Sequence, residues 1–230
     1  MAAVPAILLL GPTGSGKTPL GDLLEARGLA GRRCVHFDFG ARLRRIAETA
    51  PTAFTAEEIV FIRRVLETGA LLEDEHFPIA ERILRGLLAE ETRDRHPFFL
   101  GSRTGAILDI GPGKRGACPY FLVVLNGLPR HVGQAADVGR TVDVRAVVCL
   151  ACTPAVVFER IRANAGGDRA GRLDDDEAAV AGKLEIYRKR IQPLAAYYRD
   201  RGVPVITIDV QADTTADDMA TALVKSLGSL

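Results

Sequence analysis

Five short stretches of the chain, at 6–10, 34–37, 121–125, 146–151 and 204–208, are continuously apolar. Runs of that length without polar alternation read as strands covered on both faces, as in a parallel sheet. Between them, amphipathic patterns predict helices over about 17–27, 40–49, 56–67, 75–90, 154–164, 175–201 and 215–227. Strand and helix alternate, which predicts an α/β fold: three layers, α/β/α, around a five-stranded parallel sheet. In the long stretch near the carboxyl end, Val180, Leu184, Tyr187, Ile191, Leu194 and Tyr198 recur at three- and four-residue steps. That is one apolar stripe of a core-packing helix, with Asp174 and Glu177 placed to cap its start and Pro193 placed to bend it.

Two stretches break the regularity. Residues 93–119 carry Gly101, Gly105, Gly111, Gly113 and Gly116 and read as an irregular insertion, while the Gly- and charge-rich segment 164–176 reads as a mobile loop. Neither a repeat nor a low-complexity tract interrupts the remainder.

Composition narrows the function classes. The 230 residues are 47% apolar and 26% charged, enough for one sizeable domain spanning 1–230. Thirty basic against twenty-nine acidic side chains leave +1, so no global charge draws nucleic acid or an anionic membrane. Trp is absent and aromatics are sparse, so a base-stacking platform is not expected either. The start of the chain lacks the basic region of a signal peptide, and no apolar run approaches the roughly 18 residues of a spanning helix. Cys34, Cys118, Cys149 and Cys152 are too scattered for a disulfide framework, so a cytoplasmic setting is expected. Cys149 and Cys152 have C-x-x-C spacing but no second pair, and read as buried structural thiols. His36, His76, His96 and His131 are not spaced as a ligand cluster, and His131 is expected at the surface.

One local motif changes this picture. Gly11-Pro-Thr-Gly-Ser-Gly-Lys-Thr18 matches G-x-x-x-x-G-K-[ST] in full, directly after a strand and before a helix. Gly14, Ser15 and Gly16 let backbone N–H groups converge on phosphate oxygens at a helix N-terminus. Lys17 reaches the β- and γ-phosphates, and the Thr18 hydroxyl is a ligand for Mg²⁺. The motif predicts a nucleoside triphosphate site, with ATP as co-substrate and Mg²⁺ as cofactor.

Further segments resemble the adenylate kinases and related nucleoside monophosphate kinases. Asn126-Gly-Leu-Pro-Arg-His-Val-Gly-Gln-Ala135 is similar to the family's D-G-[FY]-P-R-x-x-x-Q-A, and Gly171-Arg-Leu-Asp-Asp-Asp-Glu177 to its G-R-x-D-D-x-E. Residues 183–198 resemble R-L-x-x-Y-x-x-x-T-x-P-L-x-x-Y-Y, residues 39–44 T-G-D-x-L-R, and residues 69–74 G-x-L-V-x-D. The matches keep family order and touch nearly the whole chain outside 93–119. The resemblance implies a P-loop kinase with an acceptor-binding insert at about 40–74 and a short lid at about 160–176. It implies that Arg44 and Arg130 hold the acceptor phosphate, that Gln134 reads the acceptor base, and that the Leu72 backbone lines the base pocket. Gly40 and Gly127 would allow close approach of the acceptor nucleotide, and Phe39 stands beside its base. Arg160, Arg169 and Arg172 would clamp the donor phosphates, and Lys183, which replaces a catalytic arginine, would belong with the acceptor-binding residues. The implied catalytic set is Lys17, Arg130, Arg160 and Arg172, acting on ATP and a nucleoside monophosphate in a monomer or weak homodimer.

The chain also departs from that pattern. Asn126 stands where the family has an aspartate, Phe39 and Ala41 replace a threonine and an aspartate, and Asn164 and Lys183 replace arginines. A divergent member is therefore expected. Two further readings stay open. Asp38, at the carboxyl end of the second strand, would suit a P-loop kinase of a small hydroxyl-bearing metabolite, accepting the hydroxyl proton. A nucleotide-binding module with weak or no turnover would also explain the altered lid.

Overall fold

A computed structural model describes residues 3–93, 121–168 and 177–228. The strands are β1 (Val4–Leu10), β2 (Arg33–Asp38), β3 (Phe121–Asn126), β4 (Val142–Ala151) and β5 (Val205–Asp209). All pair in parallel, in the order β2-β3-β1-β4-β5. The helices are α1 (Lys17–Arg27), α2 (Phe39–Thr49), α3 (Ala56–Thr68), α4 (Phe77–Arg93), α5 (Val132–Gly139), α6 (Pro154–Arg162), α7 (Glu177–Ile186), α8 (Pro193–Arg199) and α9 (Ala216–Leu227). This is the three-layer P-loop NTPase architecture that the apolar runs predict. The predicted cap Asp174 and the insertion at 94–119 lie outside the described residues.

Alternate side chains of the central strands feed two separate cores, as strands buried on both faces must. Ala6, Leu8 and Leu10 of β1 pack with Phe37, Phe39, Leu43, Ile62 and Leu84 on one side. Ile7 and Leu9 pack with Leu20, Leu24, Met219 and Leu223 of α1 and α9 on the other. β5 departs from the expectation: as an edge strand it alternates buried and exposed positions over Val205–Asp209. β4 begins earlier than its continuous apolar run, at Val142, because Val142–Arg145 alternates buried and partly exposed positions, and only Ala146–Val148 is buried without a break.

Two helical details matter for the site. The short α5, which carries a Gly-rich stretch with weak helix propensity, is not anticipated by periodicity. The single helix expected over 175–201 is instead α7, a π-helical turn at Tyr187–Ile191, and α8 with Pro193 at its start. Pro193 has no N–H to give the carbonyl four residues back, and Gln192 N–H bonds to the Tyr187 carbonyl at 2.8 Å, five residues back. The chain thus advances one residue out of helical register, which turns Tyr187 and Ile191 toward the crevice above the strand ends.

Candidate active site

The crevice opens where the sheet order reverses, over the carboxyl ends of β1 and β3. Between β1 and α1 the chain turns through Gly14 and Gly16, whose φ angles of 74° and 93° lie in the left-handed region. A side chain there would be strained, and a Cβ on Gly14 would also fall 2.8 Å from Ile161 Cγ1 of α6. Ser15 is fully buried and donates to the Pro12 carbonyl at 2.9 Å, pinning the loop from within. Lys17 Nζ folds over the loop to the Gly11 and Pro12 carbonyls at 2.8 and 2.7 Å.

Arg160 braces the same loop from α6. It is 3% exposed; Nε donates to the Gly14 carbonyl at 3.1 Å, and Nη1 to the carbonyls of Gln211, Ala212 and Thr214 at 2.7, 3.1 and 2.8 Å. Five donors in a rigid fork allow one side chain to tie two loops together. The guanidinium borders the crevice, but much of its hydrogen-bonding capacity goes to backbone.

The ends of β2 and β3 meet above Thr18. Asp38 caps α2 through Oδ1, which accepts from Ala41 N–H at 2.8 Å, and its Oδ2 accepts from Thr18 Oγ1 at 2.7 Å. Asn126, 5% exposed, donates from Nδ2 to Thr18 Oγ1 at 3.1 Å and to Asp38 Oδ2 at 3.0 Å. Behind it, His36 Nε2 lies 3.4 Å from Asn126 Nδ2, and His36 Nδ1 lies 2.8 Å from Asp22 Oδ1. Burial works to raise the Asp38 carboxyl, but the Ala41 and Thr18 hydrogen bonds and the Arg44 guanidinium outweigh it and hold the group below its ordinary value. Asp38 is thus a carboxylate at neutral pH.

Facing the loop across the crevice are two guanidiniums. A Cβ on Gly40 would sit 3.5 Å from Arg44 Nη1, so the glycine leaves room for that side chain beside Asp38. Arg130 is half-buried, its Nε buried without a hydrogen-bond partner among the described residues. Burial lowers its pKa and the Asp38 charge opposes that shift. Arg130 also lines the crevice, where a guanidinium is a ready contact for an anion.

Gly14, Gly16, Lys17, Thr18, Asp38, Gly40, Arg44, Gly127, Arg130, Arg160 and Lys183 all border this one crevice. Four candidates do not, and one of them is Ser15, whose side chain is buried inside the loop. Phe39 and Leu72 have no exposed surface and belong to the core. Gln134 is fully buried, with Nε2 donating to the Leu72 carbonyl at 2.7 Å and Oε1 accepting from Arg130 N–H at 3.0 Å. It joins the segment after α3 to the Arg130 loop. Arg169 and Arg172 lie outside the described residues. The sequence pattern also missed residues of the crevice: Tyr187 and Ile191, taken as core stripe, and Val65, Leu66 and Leu71 all line it. Only the π-helical turn and the packing of α3 put them there, although Pro193 was a visible cue.

His131 is 6% exposed rather than at the surface, with Nε2 3.3 Å from the Leu72 carbonyl. Cys149 and Cys152 are free thiols, half-buried rather than buried, and burial raises the pKa of both. No helix among the described residues is long and apolar enough to cross a membrane.

A parallel 2-3-1-4-5 sheet with a complete phosphate loop at the β1–α1 turn and two arginines facing it defines a P-loop phosphotransferase. No protein-family model matches the chain. Curated adenylate kinases do: that of Parvibaculum lavamentivorans (strain DS-1) is 31% identical over 206 residues, 85% of this chain and 80% of the relative. Those of Parasynechococcus marenigrum (strain WH8102) and Stenotrophomonas maltophilia (strain K279a) are each 29% identical, over 96% and 85% of this chain and 97% and 86% of theirs. The chain belongs to the adenylate kinase family as a divergent member, and is an ATP-dependent phosphotransferase of the nucleoside monophosphate kinase type.

Proposed function

We propose that the protein transfers the γ-phosphoryl group of Mg²⁺-bound ATP to AMP or a closely related nucleoside monophosphate. The observation that carries this reading is Arg130, which lines one crevice with Lys17 and Arg44 and whose buried Nε has no hydrogen-bond partner among the described residues. The acceptor segment proposed at 40–74 supplies Leu43, Arg44, Val65, Leu66 and Leu71 to the crevice wall. That combination of apolar surface and guanidinium suits a base and a phosphate.

In the proposed reaction an oxygen of the acceptor phosphate attacks the γ-phosphorus, the bond from that phosphorus to the β–γ bridging oxygen breaks, and ADP leaves. The attacking oxygen is already anionic at neutral pH, so no side chain has to remove a proton. Lys17 leaves the Gly11 and Pro12 carbonyls for the β- and γ-phosphates, and the loop amides fix the rest of the polyphosphate. Arg44 and Arg130 hold the acceptor phosphate in line. Arg169 and Arg172 are proposed to reach the donor phosphates from the lid side, and Lys183, which borders the same crevice, to bind on the acceptor side. Gln134 and the Leu72 carbonyl, joined at 2.7 Å, brace the Arg130 loop from behind the crevice wall.

The donor set at Thr18 fits Mg²⁺: a hydroxyl and a carboxylate oxygen 2.7 Å apart are hard ligands, and such an ion takes its other ligands from phosphate and water. When bound it would neutralise the charge building on the β- and γ-oxygens. The alcohol-kinase reading needs Asp38 available to a substrate hydroxyl; both of its oxygens already accept hydrogen bonds from the chain.

The test is a panel of nucleoside monophosphates and candidate alcohols, each incubated with ATP and Mg²⁺ and assayed for ADP and for the phosphorylated acceptor. AMP-dependent ADP formation is expected. ATP binding without any acceptor-dependent product would instead mark a binding module.

A further inference from the structure

In P-loop NTPases the metal ion is held by the P-loop hydroxyl together with an acidic side chain from a neighbouring strand. Here β3, which pairs directly with β1, ends in an amide, Asn126, whose side chain carries no charge to set against a cation. The next strand outward ends in an acid: Asp38 is the register partner of Asn126 in the β2–β3 ladder. Its Oδ2, rather than any β3 oxygen, meets Thr18 Oγ1 at 2.7 Å.

Asn126 is arranged around that carboxylate. Its Nδ2 lies 3.0 Å from Asp38 Oδ2, 3.1 Å from Thr18 Oγ1 and 3.4 Å from His36 Nε2, three atoms that can each accept. Donation from His36 Nδ1 to Asp22 Oδ1, 2.8 Å away, leaves Nε2 as an acceptor and so favours the amide nitrogen facing inward. A carboxylate at 126 would stand against Asp38 at hydrogen-bond distance, and two like charges there repel. An acid on β2 and an amide on β3 are therefore one arrangement, with a single negative charge beside the P-loop threonine.

We propose that Asp38 is the metal-side carboxylate of this enzyme, with Asn126 as the positioning residue that holds it against Thr18. The assignment deepens the proposed function and rests on its Mg²⁺–nucleotide site. It also gives the second-strand acid a role on the donor side rather than as an acceptor base.

Manganese, a paramagnetic stand-in for magnesium, tests it. Mn²⁺ is titrated by electron paramagnetic resonance into the protein saturated with ADP, and ADP affinity is measured separately in EDTA. Asp38→Asn keeps an oxygen for the α2 cap. It is expected to weaken Mn²⁺ binding in the ternary complex by about 10-fold or more, while metal-free ADP affinity is little changed. Asp38→Asn/Asn126→Asp returns the acid to β3 and is expected to restore most of the Mn²⁺ affinity. Asn126→Asp alone leaves Asp38 untouched: its opposed carboxylates should lower the melting temperature of the metal-free protein, and Mn²⁺ with ADP should restore it. Unchanged ternary Mn²⁺ affinity in Asp38→Asn overturns the assignment alone, as does an Asn126→Asp protein with no metal-dependent recovery. Failure of the unaltered protein to bind ADP overturns the nucleotide-site reading, and this assignment with it.

Discussion

The two sides of the crevice hold their cations differently. On the phosphate-loop side, Lys17 and Arg160 both donate to backbone carbonyls, two for the lysine and four for the arginine. On the opposite side the Arg130 Nε is buried without a partner among the described residues, and Arg44 lies over a glycine beside Asp38. Cations on the first side shape the loop while they wait for a ligand. On the second side a guanidinium is kept desolvated at a cost that a bound anion would recover. Similar residues therefore carry different mixtures of structural and functional work, and substitutions separate the two.

Lys17→Ala should have the largest effect, a fall in turnover on the order of 10³-fold with the fold intact by circular dichroism, since the charge on the transferred group loses its nearest cation. Near-normal turnover would refute the phosphate-loop assignment. Arg130→Ala is expected to lower kcat/KM for the monophosphate by about 10²-fold or more with no loss of Tm, because the Nε donor has no partner among the described residues. A large drop in Tm there would mean the arginine is structural.

Arg160→Ala is the contrasting case. It strands the carbonyls of Gly14, Gln211, Ala212 and Thr214, and should cost about 2–4 kcal/mol of stability in denaturant melts, whatever it does to turnover. Equal stability would show the brace to be dispensable.

A last, smaller effect lies away from the crevice and checks how dry the core beneath it is. Burial pushes the Cys34 thiol from 9.0 up to about 12. The folded state then keeps a proton that the unfolded chain gives up, so the contribution is complete below pH 9 and is lost as pH rises toward 12. Stability should decline across that window by up to about 1.4 kcal/mol per pH unit from this group, and Cys34→Ala should flatten the slope. An identical slope in the variant would mean the thiol is open to water.

Much of this was legible before any coordinates. The phosphate loop could be read in full because its chemistry is local: glycines, lysine and threonine act through positions fixed by one turn. The central strands were legible because a strand covered on both faces must be largely apolar. Legibility failed where neighbours decide. β4 starts at Val142 because pairing with β1 extends past the apolar run. Gln134 faces Leu72 rather than the crevice because α5 packs it inward. Tyr187 and Ile191 belong to an apolar stripe by spacing and reach the crevice only because the helix widens by one residue before Pro193.

Sequence alone determined the architecture, the triphosphate-binding turn and, through the order of its motifs, the kinase family. The first two follow from periodicity and from contacts a few residues apart, and the family from the resemblance of its motifs. Tertiary structure decided which charges share a space. Asp38 and Asn126 are 88 residues apart in the chain and Thr18 and Asn126 are 108 apart, yet the three converge within 3.1 Å. Only the parallel pairing of β2, β3 and β1 brings their ends together, and pairing of distant strands is a property of the folded sheet that no single segment encodes.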